Sequence, residues 1–549
     1  TYDAPSGLTT TTYYRRVATS TLNGNACAVN SSSVLVTVNP IPSVNTISNQ
    51  AVCVDQQFSA ITFSGTVPST VYNWTNNNTN TGLASSGTGN IAAFTATNST
   101  NAAIVSTVVV TPIYTYNSVS CTGSTKSFTL TVNPKATIAN KTVSACSGSG
   151  FTVTPSNGTD IVPSGTTYAW SSLPVVTGGL TGGATASLQS SISGTLTNPT
   201  NIAQTATYTV TPTSGSCTGA TFTVVATINP KPVVPNQTAT ICSGTAFTTA
   251  PSNAAPTTII PTGTTYTWTV APNANVTGES DQGVGQSSIS QTLTNTTNTV
   301  QTVVYTVTPT SGDAGSCVGS TFTVTVTVNP KATIANKTVS ACSGSGFTVT
   351  PTNGTDIIPT GTTYAWSAPS VTGNLTGGVS ASAQASIAGT LTNPTNIAQT
   401  ATYTVTPTSG TCNGATFTVT ATINPKPVVP NQTATICSGE TFNASAMGSV
   451  PAGTQYSWLI PTVTGGLTGG ATGTVQNSVT GTLINPTNTA QSATYIVTPI
   501  LVAPFDLCEV YDYIATVTVQ PKPAIPNITA EICSAETYSV TPTNGGSTI

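Results

Sequence analysis

Histidine is absent from all 549 residues, methionine occurs once, and charged side chains are scarce: 10 Lys and Arg, 13 Asp and Glu. Charged residues make up 4% of the chain, against about 25% in an ordinary soluble domain. Without histidine there is neither a His-dependent catalytic triad nor an imidazole metal ligand. A net charge of −3 with dispersed lysines leaves no basic footprint for nucleic acid or anionic lipid. No apolar run approaches the roughly 20 residues of a membrane-spanning helix, so no membrane insertion is expected of this segment. Low charge also suits disorder, but 37% of the residues are apolar and their pattern is regular. The chain is expected to fold, and to fold as β.

What the sequence has in abundance is repetition. A tripeptide closes one unit and opens the next: Val38-Asn39-Pro40, Val132-Asn133-Pro134, Ile228-Asn229-Pro230, Val328-Asn329-Pro330, Ile423-Asn424-Pro425 and Val519-Gln520-Pro521. Counted from the proline, five complete units follow: 40–133, 134–229, 230–329, 330–424 and 425–520. Residues 1–39 read as the C-terminal part of a preceding repeat, and 521–549 as the N-terminal part of a further one. The chain opens on Thr1 and stops mid-pattern at Ile549, as an excerpt of a longer protein would. The 22 residues from Pro134 to Pro155 recur letter for letter from Pro330 to Pro351, and PKPVVPNQTATICSG occurs at both 230–244 and 425–439. Units two to five therefore alternate as types A, B, A and B. Keeping near-identical domains apart would discourage strand swapping, and unequal duplication explains the order equally well.

Within a unit, Phe322, Val324, Val326 and Val328 alternate with threonines, the period of a half-buried strand. Tyr208-Thr209-Val210 and Tyr305-Thr306-Val307 repeat this one strand earlier. An Asn-x-Thr-Asn corner precedes each such strand, beginning at Asn98, Asn198, Asn295, Asn393 and Asn485. No stretch has a helical period. About seven short strands per unit, with turns every 8–12 residues, predict an all-β tandem array of Greek-key sandwiches. Each unit carries one tryptophan, two residues after a tyrosine: Trp74, Trp170, Trp268, Trp366 and Trp458. One such residue per sandwich predicts a core plug, with an exposed ligand platform as the alternative.

The twelve cysteines recur at two fixed places per unit, after the linker and at the tip of the final hairpin. Their regularity without CxxC clusters reads as disulfides and an oxidising, extracellular site. Two pairings fit. One crosses the linker; the other closes each unit on itself, as Cys53–Cys121, Cys146–Cys217, Cys242–Cys317, Cys342–Cys412 and Cys437–Cys508. The second is preferred, because the start of a sandwich and its last hairpin tip should share one end. It leaves Cys27 and Cys533 unpaired.

Little is left for chemistry. Asp160 and Asp356 are equivalent turn residues of the A units, and Glu279 with Asp281 occurs in one unit alone. Paired carboxylates across a cleft are therefore not expected in every unit, and neither an enzyme nor a cofactor or metal is implied. A Lys–Asn isopeptide bond could involve Lys141 with Asn140 and Lys337 with Asn336. The fifth unit departs locally in Phe505-Asp506-Leu507-Cys508-Glu509-Val510-Tyr511-Asp512-Tyr513, where Tyr511 and Tyr513 are in phase with the core positions Val517 and Val519. Proline-stiffened linkers such as Asn-Pro-Lys-Pro suit an extended rod, each unit adding roughly 40 Å.

The unit VNPKP…ICSG…YxW…GTLTNPTN…TYTVTPTSGxCxGATFTVTVTINP resembles the PKD-like, immunoglobulin-like repeats of giant surface adhesins of gliding bacteria. Residues 5–27 resemble another repeat type of the same proteins. The resemblance implies export by the type IX secretion system and display as an outer-membrane-attached cell-surface filament. It implies the secretion and gliding machinery as partners, with substratum or polysaccharide bound through other parts of the chain. The function expected is that of a stalk segment, bearing tension and extending an adhesive tip for attachment and gliding. A carbohydrate-binding array, or the spacer of a secreted polysaccharide-degrading enzyme, are the alternatives.

Overall fold

The computed structural model describes all residues except 1–4, 313–314, 427, 447–449, 504, 506–507, 509, 524, 526 and 542–549. The described residues are almost entirely strand and loop; one short 3-10 turn, Thr79–Thr81, is the exception. Five hydrophobic clusters occupy residues 44–132, 138–228, 234–328, 332–423 and 429–519. None crosses a linker, so each repeat has its own core.

The third repeat shows the plan. Its main sheet runs in the order Gln237–Cys242, Phe322–Asn329, Gln301–Thr310, Thr265–Val270 and Gln282–Gln286. A smaller sheet of Thr245–Thr249, Ile289–Asn295 and Val276–Thr277 covers its apolar side. The sequence period explains the arrangement. Phe322, Val324, Val326 and Val328 lie buried at no more than 3% exposure, while Thr323, Thr325 and Thr327 stand on the outer side. The outer side is largely threonine, with Thr302 opposite Thr327 and Thr306 opposite Thr323, and the exposed Val304 between them opposite Thr325.

All five tryptophans fill cores, between 3% and 8% exposed. Each indole still finds an acceptor: Trp170 donates to the Ala184 carbonyl at 2.7 Å and Trp458 to that of Ala471 at 3.0 Å. A small residue on the neighbouring strand makes the space. Gly473 stands opposite Trp458, and a Cβ there would fall on the indole ring. Tyr208 meets Trp170 edge-on, ring centroids 6.2 Å apart.

The first and last strands of every repeat are parallel neighbours, and this sets the ends of the molecule's parts. Lys141 pairs with Val224 and Cys146 with Asn229. The same register recurs as Cys53 with Asn133, Cys242 with Asn329, Cys342 with Asn424 and Cys437 with Gln520. Before the first repeat, Thr12–Tyr14 pairs with Val34–Val36 and Val17–Leu22 with Asn25–Asn30, largely exposed. No strand is found among the described residues after Gln520.

Candidate functional site at the repeat junctions

The parallel register places one cysteine where the chain leaves each repeat. Cys146 ends a six-residue first strand, level with Asn229, the last residue before the next linker. The hairpin cysteine lies at the opposite end. Cys217 follows the turn at Gly215 and pairs with Ser214, and its Sγ lies 4.0 Å from the carbonyl of Asn133, at the end of the preceding repeat. An eight-residue last strand separates the two ends, on the order of 26 Å.

Disulfides therefore form across the junctions: Cys53–Cys217, Cys146–Cys317, Cys242–Cys412 and Cys342–Cys508. Their Cα–Cα distances, 5.5 to 5.6 Å, sit at the usual spacing for the bond. This corrects the pairing expected from sequence. Cys53–Cys121, Cys146–Cys217, Cys242–Cys317, Cys342–Cys412 and Cys437–Cys508 are not formed, nor are bonds between the hairpin cysteine of one repeat and the first-strand cysteine of the next, such as Cys217–Cys242. The premise that the start of a repeat and its hairpin tip share an end holds: Gly219, beside the tip, packs against the Ala136 carbonyl of the linker. The cysteine, however, comes one strand later, and a parallel strand carries it to the far end. Among the described residues Cys27, Cys121, Cys437 and Cys533 are unpaired. Cys121 occupies the hairpin position at the entry to the first repeat, 3.7 Å from the Asn39 carbonyl.

Asparagines hold the strand ends that the disulfides use. Ahead of each first strand, a side-chain carbonyl accepts a backbone N–H at the start of the last strand. Asn49, Asn140, Asn236, Asn336 and Asn431 do so from Thr129, Thr223, Thr323, Thr418 and Ile514, at 2.8 to 2.9 Å. Sequence reasoning missed this clip, although an asparagine at one place in all five units was a signal for it. The Asn-x-Thr-Asn corner, by contrast, behaves as expected. Asn295, 4% exposed, donates to the carbonyls of Thr299 and Val328 at 2.7 and 3.0 Å and accepts from the Thr297 N–H and hydroxyl. Ser243, beside the junction cysteine, accepts the N–H of Asn295.

Several of the few charged groups also serve structure. Lys141 meets Asp160 at 2.6 Å and Lys337 meets Asp356 at 2.7 Å, each carboxylate side chain 2% exposed. Burial pushes the Asp160 carboxyl up, but hydrogen bonds from Lys141 and the Ala139 N–H, with the Lys141 charge, outweigh it and leave it below the usual range. Lys141 and Lys337 are thus engaged with aspartates, while Asn140 and Asn336 serve as clips, so the two members of the isopeptide pairs are otherwise occupied. Glu279 accepts the Asn273 N–H, and Asp281 that of Val270. No group of three or more potential metal ligands occurs among the described residues.

In the fifth repeat Tyr513 is buried at 2% exposure, but Tyr511 is 66% exposed beneath the Lys426 ammonium, 4.3 Å from the ring centre. Tyr511 is therefore not a core residue: it precedes Tyr513–Gln520, and its side chain packs on the linker lysine instead. Asp506, Leu507 and Glu509 of this hairpin lie outside the described residues. A concavity of about 660 Å³ in the fifth repeat is an open trough lined by residues that include Trp458, Leu459, Ile460, Ile496 and Asp512, with a single carboxylate. No helix among the described residues is long and apolar enough to cross a membrane.

A family model described as "PKD-like domain" matches four times, at residues 142–232, 239–332, 339–427 and 434–523. No protein of curated function matches the chain. Among solved structures, the protocadherin gammaB4 extracellular domain aligns at 12% identity over 93% of this chain and 89% of that one, with a TM-score of 0.21. The human desmocollin-1 ectodomain aligns at 11% over 88% and 98%, TM-score 0.22. Immunoglobulin domains 1–5 of Sidekick-1 align at 12% over 88% and 99%, TM-score 0.18. Scores this low attach no functional weight to the likeness.

Proposed function

Starting from the premise that the chain belongs to the PKD-like domain family, we propose that it is a non-catalytic stalk segment of an extracellular, surface-displayed adhesin. It transmits tension between an anchor and an adhesive region carried elsewhere on the protein. The observation that carries this reading is the disulfide across every junction between the five repeats. An array that only spaced two domains apart would need the peptide linker alone; a second covalent tie at each joint suits a chain that is pulled. Disulfides also favour an oxidising compartment, outside the cytoplasm. The engagement of the acids as caps and ion-pair partners, and the burial of every tryptophan, support structural work over catalysis or glycan stacking. In its finer form the stalk belongs to a filament exported by type IX secretion and driven by gliding machinery at the outer membrane, attaching to substratum or polysaccharide.

Antibody labelling of this segment on intact source cells tests the reading. Label on the surface is expected, and loss of attachment when the repeats are deleted in frame. Label that travels along the cell supports the gliding form, whereas a fixed label overturns it and leaves a static stalk. Absence of label on expressing, unpermeabilised cells overturns surface display.

A further inference from the structure

We propose that the junction disulfides divide the array into two interleaved covalent cables that bypass the body of each sandwich, so that a domain can unfold without lengthening the stalk. The proposal rests on the tension-bearing reading above and supplies its mechanism. One cable enters at Cys53 and crosses to Cys217. It runs along Phe222–Asn229, through the linker into Gln237–Cys242, and crosses to Cys412. From there it follows Phe417–Asn424 and Gln432–Cys437. The other begins at Cys146, crosses to Cys317, and follows Phe322–Asn329 and Lys337–Cys342. It then crosses to Cys508 and follows Tyr513–Gln520.

The two cables lie side by side in every repeat they share. In the third, Gln237–Cys242 of the first cable is hydrogen-bonded in parallel to Phe322–Asn329 of the second. The fourth exchanges the roles, with Lys337–Cys342 of the second cable against Phe417–Asn424 of the first. Unequal tension in the two strands then loads their shared ladder in shear. The remaining part of each repeat, about 70 residues such as those between Cys146 and Cys217, is a side loop on neither cable. It holds the tryptophan core, the asparagine corner and the smaller sheet. Each leg, such as Cys217 to Cys242, has about 25 residues and spans two repeats, so its reach is limited to roughly 90 Å. Strands already rise about 3.3 Å per residue, which leaves the legs little slack.

Single-molecule pulling on the whole segment tests this, with handles on bio-orthogonal side chains introduced at Gln56 and Thr441, just beyond Cys53 and Cys437. Oxidised protein is expected to stop at about 200 Å even at forces that unfold sandwiches, and at about 1,300 Å after reduction. The paired variant Cys242→Ser with Cys412→Ser cuts the first cable alone and should stop at about 600 Å, the route through the side loops. Extension of oxidised protein beyond 1,000 Å, or a paired variant that behaves as the parent, overturns the cables. Should pulling give the expected lengths while cells lacking these repeats still attach under flow, the cables stand and the tension-bearing function falls.

Discussion

Cys146 stands level with Asn229 in a parallel strand pair, and so faces the next repeat rather than its own hairpin cysteine, Cys217. This one register decides the covalent architecture of the array. Had the first strand run antiparallel to the last, the cysteine would have ended beside the hairpin tip and each domain would have been closed on itself.

Non-reducing peptide mapping checks this directly. Peptides containing Cys53 and Cys217 should be linked, as should those of Cys146 and Cys317, and of Cys242 and Cys412. Recovery of a Cys146–Cys217 link in the native protein would refute the junction pairing.

The asparagine corner should be costly to lose. Asn295→Ala removes two donated and two accepted hydrogen bonds at a buried site, and leaves the Val328 carbonyl without this partner. A destabilisation of about 3 kcal/mol in the third repeat is expected in urea titration. The exposed clip Asn236→Ala should cost about 1 kcal/mol.

Two equivalent tyrosines should respond oppositely to the same substitution. The buried hydroxyl of Tyr208 has no hydrogen-bond partner, whereas that of Tyr305 donates to Gln291 at 2.8 Å. Tyr208→Phe should stabilise the second repeat by up to about 1 kcal/mol, and Tyr305→Phe should destabilise the third by a similar amount. Thermal melts of the two variants distinguish these signs.

Acid should separate the repeat types. The Asp160 and Asp356 carboxyls lie below their ordinary value in the fold, so their contribution is fully present above the unfolded value near 3.8. It is lost as pH falls through the folded value. The A-type second and fourth repeats should therefore lose stability below about pH 4 more steeply than the B-type third and fifth. In Asp160→Asn that extra acid dependence should vanish from the second repeat, at a cost of about 2 kcal/mol at pH 7, since Lys141 is partly exposed. Hydrogen exchange resolved by repeat, followed between pH 3 and 7, checks both statements.

The alternation of valine with threonine, one tyrosine–tryptophan pair per unit and the recurring Asn-Pro punctuation were enough to read sandwiches in tandem, because these are local requirements. A strand needs a period of two, a corner needs a residue that can turn and cap, and a small core needs one large plug. Trp170 and Asn295 are buried for reasons visible in their own neighbourhood of sequence. Tyr511 was misplaced because its phase matched the core strand, yet its side chain packs on Lys426 of the linker.

Disulfide pairing is not a local property. The spacing of Cys146, Cys217 and Cys317 is compatible with several bonds, since any unfolded chain can close any of those loops at similar entropic cost. Only the direction in which the first strand joins the sheet selects among them. The sequence by itself determined that there would be repeats, strands, buried tryptophans and oxidised cysteines. The tertiary structure decided which end of the sandwich each cysteine reached, because a parallel neighbour carries its last residue the length of a strand away from where it began.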